Sequence, residues 1–166
     1  MHIVVVGAGT SGIPFATRAA AAGARVALLE AADRVGGTMH YSTGQISAAG
    51  TSLQREKGIA DSPAAHLADA LRINHGTGDR ALLELLTQHA AESVEWLLAH
   101  GWRPRPEHPM ITHGHEAYTT PRTYQSPEGG LAVLAALQRA LEAARAQHDV
   151  ALHLRTRMTE LLHDAA

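Results

Sequence analysis

The chain has 166 residues, 45% hydrophobic but only 4% aromatic, so one sizeable core is within reach and must be built mainly from Ala, Leu and Val. A formal net charge of -2 leaves no polybasic footprint, which argues against nucleic acid as a main partner. Zero cysteines exclude disulfides, thiolate metal sites and a redox-active cysteine pair, and are compatible with a reducing, cytoplasmic setting.

Ile3-Val4-Val5-Val6 is a short β-branched run ended by Gly7, the pattern of a buried parallel strand. No cationic leader precedes it, so no signal peptide is expected. Residues 11–22 read as a helix closed by Gly23, with Pro14 tolerated because it falls in the first turn. Residues 25–30 form a second strand, completing a β-α-β unit whose crossover is expected to be right-handed. Residues 31–63, rich in Gly, Ser and Thr, read as irregular. Residues 63–74 predict a helix with Ser62 as N-cap. Residues 79–100 are the clearest amphipathic helix, with Leu82, Leu83, Leu86, Ala90, Val94, Leu97 and Leu98 on its period and Gly101 at its end. Pro104, Pro106, Pro109, Pro121 and Pro127 mark residues 103–127 as a long loop, a kind of segment that is usually functional or disordered. Residues 130–147 predict a last helix, and residues 150–154 and 158–162 two short strands. Glycines and charges interrupt every apolar stretch before it reaches the roughly 18 residues that a membrane span needs.

Gly7, Gly9 and Gly12 form G-x-G-x-x-G between the first strand and the first helix. In such a loop the first glycine permits the tight turn, the second lets the backbone approach a pyrophosphate, and the third lets the helix pack close to the strand. The helix N-terminus offers N–H groups and a positive dipole end to phosphates, and Ser11 adds a hydroxyl there. Glu30 ends the second strand, where a carboxylate accepts hydrogen bonds from ribose hydroxyls and repels a 2'-phosphate, disfavouring NADP. The bland alternative is a glycine-rich turn that serves packing only. On these residues alone both FAD and NAD stay open.

After Glu30 come Ala31-Ala32-Asp33-Arg34-Val35 and then Gly36-Gly37. A glycine pair at this distance resembles the FAD proteins of the glutathione-reductase-like flavoprotein superfamily, in which it continues the phosphate and ribose contacts. Ala16, Gly23 and Val26 match that family's packing positions. The resemblance implies FAD, with NAD the minor option. Glu30-x-x-x-Arg34-x-Gly36-Gly37 also resembles the amine oxidase and phytoene desaturase pattern, but that pattern continues with an arginine where Thr38 stands, and Arg34 reads as a solvated charge. The stretch GGTMHYSTGQISAAGTSLQREKGIADSP is similar to the FAD-binding domain of the fumarate reductase and succinate dehydrogenase flavoprotein family, which includes ketosteroid and 4-oxocyclohexanecarboxylate dehydrogenases. Thr43-Gly44-Gln45 matches that family's turn beside the flavin ring, with Gln45 in place of a second glycine. The stretches GIADSPAAHLADAL, ESVEWLLAHGW and PEGGLAVLAAL resemble its later helical segments. LHLRTRMTELLHD resembles a hairpin whose turn contacts adenine through its backbone, which places Met158 there. The resemblance covers essentially the whole chain.

That resemblance implies an α/β fold, a Rossmann-like FAD-binding domain of the glutathione-reductase-like type, with a parallel sheet and inserted helices. It would be incomplete: a β-α-β dinucleotide unit over 2–38, a helical segment over 62–101, a proline-rich loop over 103–128, and a helix and hairpin over 129–164. The implied FAD contacts are Gly7, Ala8, Gly9, Ser11, Gly12, Glu30, Ala31, Gly36, Gly37, Thr38, Thr43, Gly44, Gln45 and Met158. Aligned through Ile46, Thr38 rather than His40 stands where some members carry a flavin-linking histidine, so FAD is expected to be non-covalent. Family members are far longer and add a capping domain with the substrate arginines, so the chain reads as an N-terminal part that lacks a C-terminal segment or partner chain. For the parent family the implied reaction is hydride transfer between flavin N5 and a carbon next to an activating carbonyl or carboxylate, on a small-molecule substrate. Arg122, in the proline-rich loop, is the candidate to bind that group, against the simpler reading of a solvated loop charge. An NAD-linked dehydrogenase, a flavin amine oxidase or desaturase, and a non-catalytic dinucleotide-binding module are the competing readings. His113-x-His115-Glu116 reads as surface or an entrance loop, so no metal is expected, and Trp96 and Trp102 read as core or rim packing.

Overall fold

The computed structural model describes residues 1–112 and 117–162 and falls into two compact units, Met1–Ser42 with Leu134 onward, and Thr43–Val133. In the first unit, β1 (His2–Val6), α1 (Gly12–Ala21) and β2 (Arg25–Leu29) form the expected β-α-β unit. β5 (Val150–His153) adds to the far side of β2, giving a parallel sheet in the order β1-β2-β5. In this register Val5 stands opposite Leu28, and Val26 opposite Val150. Alternation along each strand puts these four side chains on one buried face. α1 packs on the sheet through Ile13, Ala16 and Ala20. On the other face of β1, Val4 and Val6 are 63% and 54% exposed, although parallel sheets ordinarily bury both faces. α5 (Gly130–Gln147) has the predicted bounds, and from Leu134 on it belongs to this unit, burying Leu137, Leu141 and Ala144.

The expected strand at 158–162 does not form. After β5 the chain turns at Arg155, which has φ 51°, and the N–H groups of Arg155 and Thr156 donate to the carbonyls of Ala32 and Glu30. Those donors tie the segment to the loop after β2, so it continues as an irregular strap rather than a hairpin arm.

The second unit is mainly helical. α3 (Pro63–Ile73) starts where expected: the Ser62 hydroxyl accepts from the Ala65 N–H, and Pro63 fills the first turn. α4 (Arg80–Ala99) is capped by Asp79, which accepts from the N–H groups of Ala81 and Leu82, and it packs against α3. Only its later turns bury the predicted stripe: Ala90, Val94 and Leu97 are in the core, whereas Leu82 and Leu86 are exposed. The segment read as irregular carries three short elements, a 3₁₀ turn at Gly37–His40 in the first unit, and β3 (Ile46–Ser47) and α2 (Ser52–Glu56) in the second. α2 is made by a capping box, in which the Thr51 hydroxyl accepts from the Gln54 N–H while the Gln54 side chain accepts from the Thr51 N–H. Within the long loop, β4 (Thr123–Tyr124) pairs antiparallel with β3. Among the described residues, no helix is long and apolar enough to cross a membrane.

Candidate functional site

In the first unit the predicted loop residues meet at the carboxyl end of the sheet, the usual place for a ligand in an open α/β fold. The Gly7 N–H donates to the Leu29 carbonyl at 2.7 Å and ties the loop to the end of β2. A Cβ on Gly12 would stand 1.8 Å from the Gly7 carbonyl oxygen, so only glycine lets α1 start this close to the strand. A Cβ on Gly9 would meet nothing within 4 Å, which leaves a backbone surface that a ligand can approach. Ser11 is the N-cap of α1, yet its side chain makes no capping bond, so its hydroxyl is available at the positive end of the helix.

Glu30 is fixed by backbone. Its two carboxylate oxygens accept from the N–H groups of Ala32 and Ala8, each at 2.9 Å. These bonds, that from Ala32 foremost, hold its carboxyl below the usual value despite partial burial. An ionised carboxylate so held keeps spare lone pairs for ribose hydroxyls. The Gly36 N–H donates to the Ala8 carbonyl at 2.8 Å, and a Cβ on Gly37 would lie 4.0 Å from the Gly9 Cα. The acid and the glycine pair therefore converge on one loop with the first three glycines. Ala31 and Thr38 are exposed beside them, and the Thr38 carbonyl accepts from the N–H groups of Tyr41 and Ser42. His40 turns inward, its Nε2 donating to the Val35 carbonyl at 2.9 Å. Met158 is exposed two residues beyond Thr156, whose N–H donates to the Glu30 carbonyl. The open cradle over Gly9, the uncommitted Ser11 hydroxyl and the ionised Glu30 fit a dinucleotide, with its pyrophosphate on the loop and a ribose on the acid.

In the second unit, Thr43-Gly44-Gln45 is an irregular segment that leads into β3. Gly44 has φ 67°, and a Cβ there would stand 2.4 Å from the Gly129 carbonyl carbon, so the segment is pressed against the start of α5. The Gln125 side chain donates to the Thr43 carbonyl at 3.0 Å and braces it.

Arg122 requires a correction. It is 0% exposed, with Nε and Nη2 forked onto Asp61 at 3.0 and 2.9 Å and Nη1 on Asp69 at 2.9 Å. The Tyr118 ring lies 5.1 Å from its Cζ. A guanidinium already filled by two carboxylates and closed to solvent is not placed to take a substrate carboxylate; it holds the proline-rich loop onto α3. Asp69 also accepts from the Thr119 N–H and hydroxyl, both at 2.8 Å, and from Arg72 at 3.0 Å. Burial pushes its carboxyl up, but these bonds and Arg122 outweigh burial and hold it below the ordinary range. The Gln54 side chain donates to both Asp61 and the Pro121 carbonyl at 2.8 Å, and the Thr51 hydroxyl meets the Tyr124 hydroxyl at 2.5 Å. Burial pushes the Tyr124 phenol up to about 12. None of Asp61, Asp69, Gln54 and Thr51 was singled out from sequence. A polar pair three residues apart on the inward face of α3, His66 and Asp69, was the available signal. His113, His115 and Glu116 lie outside the described residues.

Comparison with known proteins agrees with this geometry. Residues 2–166 match the family model described as FAD binding domain. A fumarate reductase (cytochrome) of Shewanella frigidimarina is 30% identical over 164 residues, covering 99% of this chain and 28% of that protein. A urocanate reductase of Eggerthella lenta is 30% identical over 171 residues, covering 100% of this chain and 27% of that protein. Among solved structures, the open conformation of a flavocytochrome c3 fumarate reductase superposes with a TM-score of 0.80 at 27% identity, over 98% of this chain and 28% of that one. A 3-ketosteroid-Δ4-(5α)-dehydrogenase from Rhodococcus jostii RHA1 shares the fold, with a TM-score of 0.72 at 24% identity over 93% of this chain and 37% of that one. The chain thus spans 28% and 27% of the length of the two curated relatives.

Proposed function

The chain belongs to the FAD-binding domain family and its cofactor is FAD; on that premise we propose that it is the FAD-holding part of an oxidoreductase acting on a carbon–carbon bond. The observation that carries this reading is the convergence of Glu30, held by the Ala8 and Ala32 N–H groups, with Gly36 and Gly37 on the loop of Gly7, Gly9 and Gly12. In this reading the backbone of Gly7, Ala8, Gly9 and Gly12 and the Ser11 hydroxyl receive the pyrophosphate. Glu30 and Ala31 take the adenosine ribose, Gly36, Gly37 and Thr38 continue the contacts, and Met158 lies towards the adenine. For the second unit by itself, the proposed role of Thr43, Gly44 and Gln45 is contact with the ring end of the cofactor. Arg122 is a positioning residue for its own loop.

Bound FAD supplies hydride exchange at N5 with a carbon next to one activated by a carbonyl or carboxylate. The names of the relatives, reductases of fumarate and urocanate, support a small unsaturated carboxylate as substrate. The inward-turned His40 supports non-covalent attachment. The absence of cysteine supports a reducing, cytoplasmic setting. The exposed Val4 and Val6 face supports cover from a further segment or a partner chain, since such apolar patches ordinarily mark an interaction surface.

The test is to purify the chain with added FAD, remove free cofactor, heat it and identify what is released. The proposal expects stoichiometric FAD in the supernatant. No retained flavin would overturn the FAD role, and flavin left on the denatured chain would overturn non-covalent attachment.

A further inference from the structure

Ile46 stands opposite Tyr124 and Ser47 opposite Thr123, so one more step of the antiparallel β3–β4 ladder would set Gln45 opposite Gln125. The ladder stops short of that pair. Gly44, at φ 67°, turns the chain aside, with Thr43 and Gln45 exposed on either side of it. An exposed segment outside a ladder is mobile unless another group holds it. Gln125 supplies that hold where the strand bonds end: its Nε2 donates to the Thr43 carbonyl at 3.0 Å. A carbonyl only accepts, which fixes the amide with its nitrogen towards Thr43.

Gln125 is anchored well enough to serve as a reference point. Its neighbours Tyr124 and Ser126 are 0% and 1% exposed. The Tyr124 hydroxyl meets that of Thr51, and the Ser126 hydroxyl donates to the Arg103 carbonyl, both at 2.5 Å. The Gln125 carbonyl accepts from the Arg105 N–H at 2.9 Å. The opposite support of the segment is the backbone of Gly129, against which Gly44 lies. The segment is thus held from two directions, by close packing at Gly44 and by a hydrogen bond at Thr43. The hydrogen bond is carried by a side chain and can be removed without a clash.

We infer that Gln125 is a positioning residue for the cofactor: through the Thr43 carbonyl it sets where Thr43, Gly44 and Gln45 meet the ring end of FAD. The inference rests on the reading that this segment touches the ring. Its test variant is Gln125→Met, which keeps the length and unbranched shape but has no N–H to donate. In the full chain without FAD, the ¹³C resonance of the Thr43 carbonyl should shift. With saturating FAD, the visible absorption band of the flavin should shift from its position in the unmodified chain. FAD should bind more weakly by about two- to tenfold, one hydrogen bond's worth. The tryptophan-detected urea midpoint should stay in place. A role in stability alone would move the midpoint and leave the flavin band, and that result would overturn the inference. Gln45→Ala, at an exposed position, reports whether the segment touches the ring, and should also move the band. A band unmoved in both variants would remove the ring contact and the inference with it. A band moved by Gln45→Ala but not by Gln125→Met would leave the ring contact standing and overturn the role of Gln125, as would an unmoved Thr43 carbonyl.

Discussion

In the first unit the polar groups that matter belong to the backbone. N–H groups of Gly7, Ala8, Ala32 and Gly36 tie the loop, the acid and the glycine pair together, and the side chains contribute little beyond Glu30 and Ser11. In the second unit they belong to side chains: Arg122, Asp61, Asp69, Gln54, Thr51 and Tyr124 form a buried network that joins residues 51 to 124. The first arrangement leaves its acceptor and donor surface open, as a phosphate or ribose needs. The second closes its charged groups onto one another, and among the described residues leaves the His66 Nδ1 and the Trp102 Nε1 unmet. A binding cradle and a structural clamp are thus told apart by whether their polar groups are already used.

The largest expected effect breaks the clamp. Arg122→Ala leaves Asp61 and the inner oxygen of Asp69 without their cation, and should destabilise the second unit by about 3–5 kcal/mol. Both tryptophans lie in that unit, so urea unfolding followed by tryptophan fluorescence reads it, and an unchanged midpoint would refute the clamp. Next comes the cradle. Gly12→Ala drives a Cβ into the Gly7 carbonyl and should impose about 1–3 kcal/mol of strain. It should appear as a loss of FAD affinity of roughly tenfold or more, while the tryptophan-detected transition stays in place.

A pH series sharpens the same contrast. The His66 value is lowered by burial first and by Arg122 second, so the unfolded chain takes up its proton before the folded one. The stability it contributes is full above its ordinary value of 6.5 and should be lost as pH falls from there through the lowered value. Asp69, also lowered, should add a second loss below its ordinary value of 3.8. In His66→Leu the first slope should vanish and the second remain; denaturant midpoints across pH check both. The smallest effect is Ser11→Ala. Its hydroxyl caps nothing, so stability should move by less than about 0.5 kcal/mol, while FAD affinity should fall by about 0.5–1.5 kcal/mol.

The same contrast explains what was legible in the sequence. A cradle built from backbone leaves a short-range record, because glycine is required wherever the chain approaches itself, as at Gly12 against Gly7. The caps at Ser62 and Asp79 are equally local, and the bounds of α3, α4 and α5 followed from them and from apolar period. The clamp joins partners 61 residues apart in the Arg122–Asp61 pair and 73 apart in the Thr51–Tyr124 pair, and no local spacing announces it. Arg122 therefore looked like a loop charge free for a substrate. α2 was legible but unread: Thr51-x-x-Gln54 is a capping-box pattern without apolar period. The strand expected at 158–162 failed for the opposite reason, because apolar residues alone do not make a strand when the preceding N–H groups are taken by Glu30 and Ala32.

The most direct test of the central claim, that the backbone cradle of the first unit holds FAD, is a calorimetric titration of the chain with FAD in the presence and absence of equimolar NAD. The account predicts saturable one-to-one binding of FAD that NAD does not displace and that Gly12→Ala weakens. No uptake of FAD, or its displacement by equimolar NAD, would contradict it.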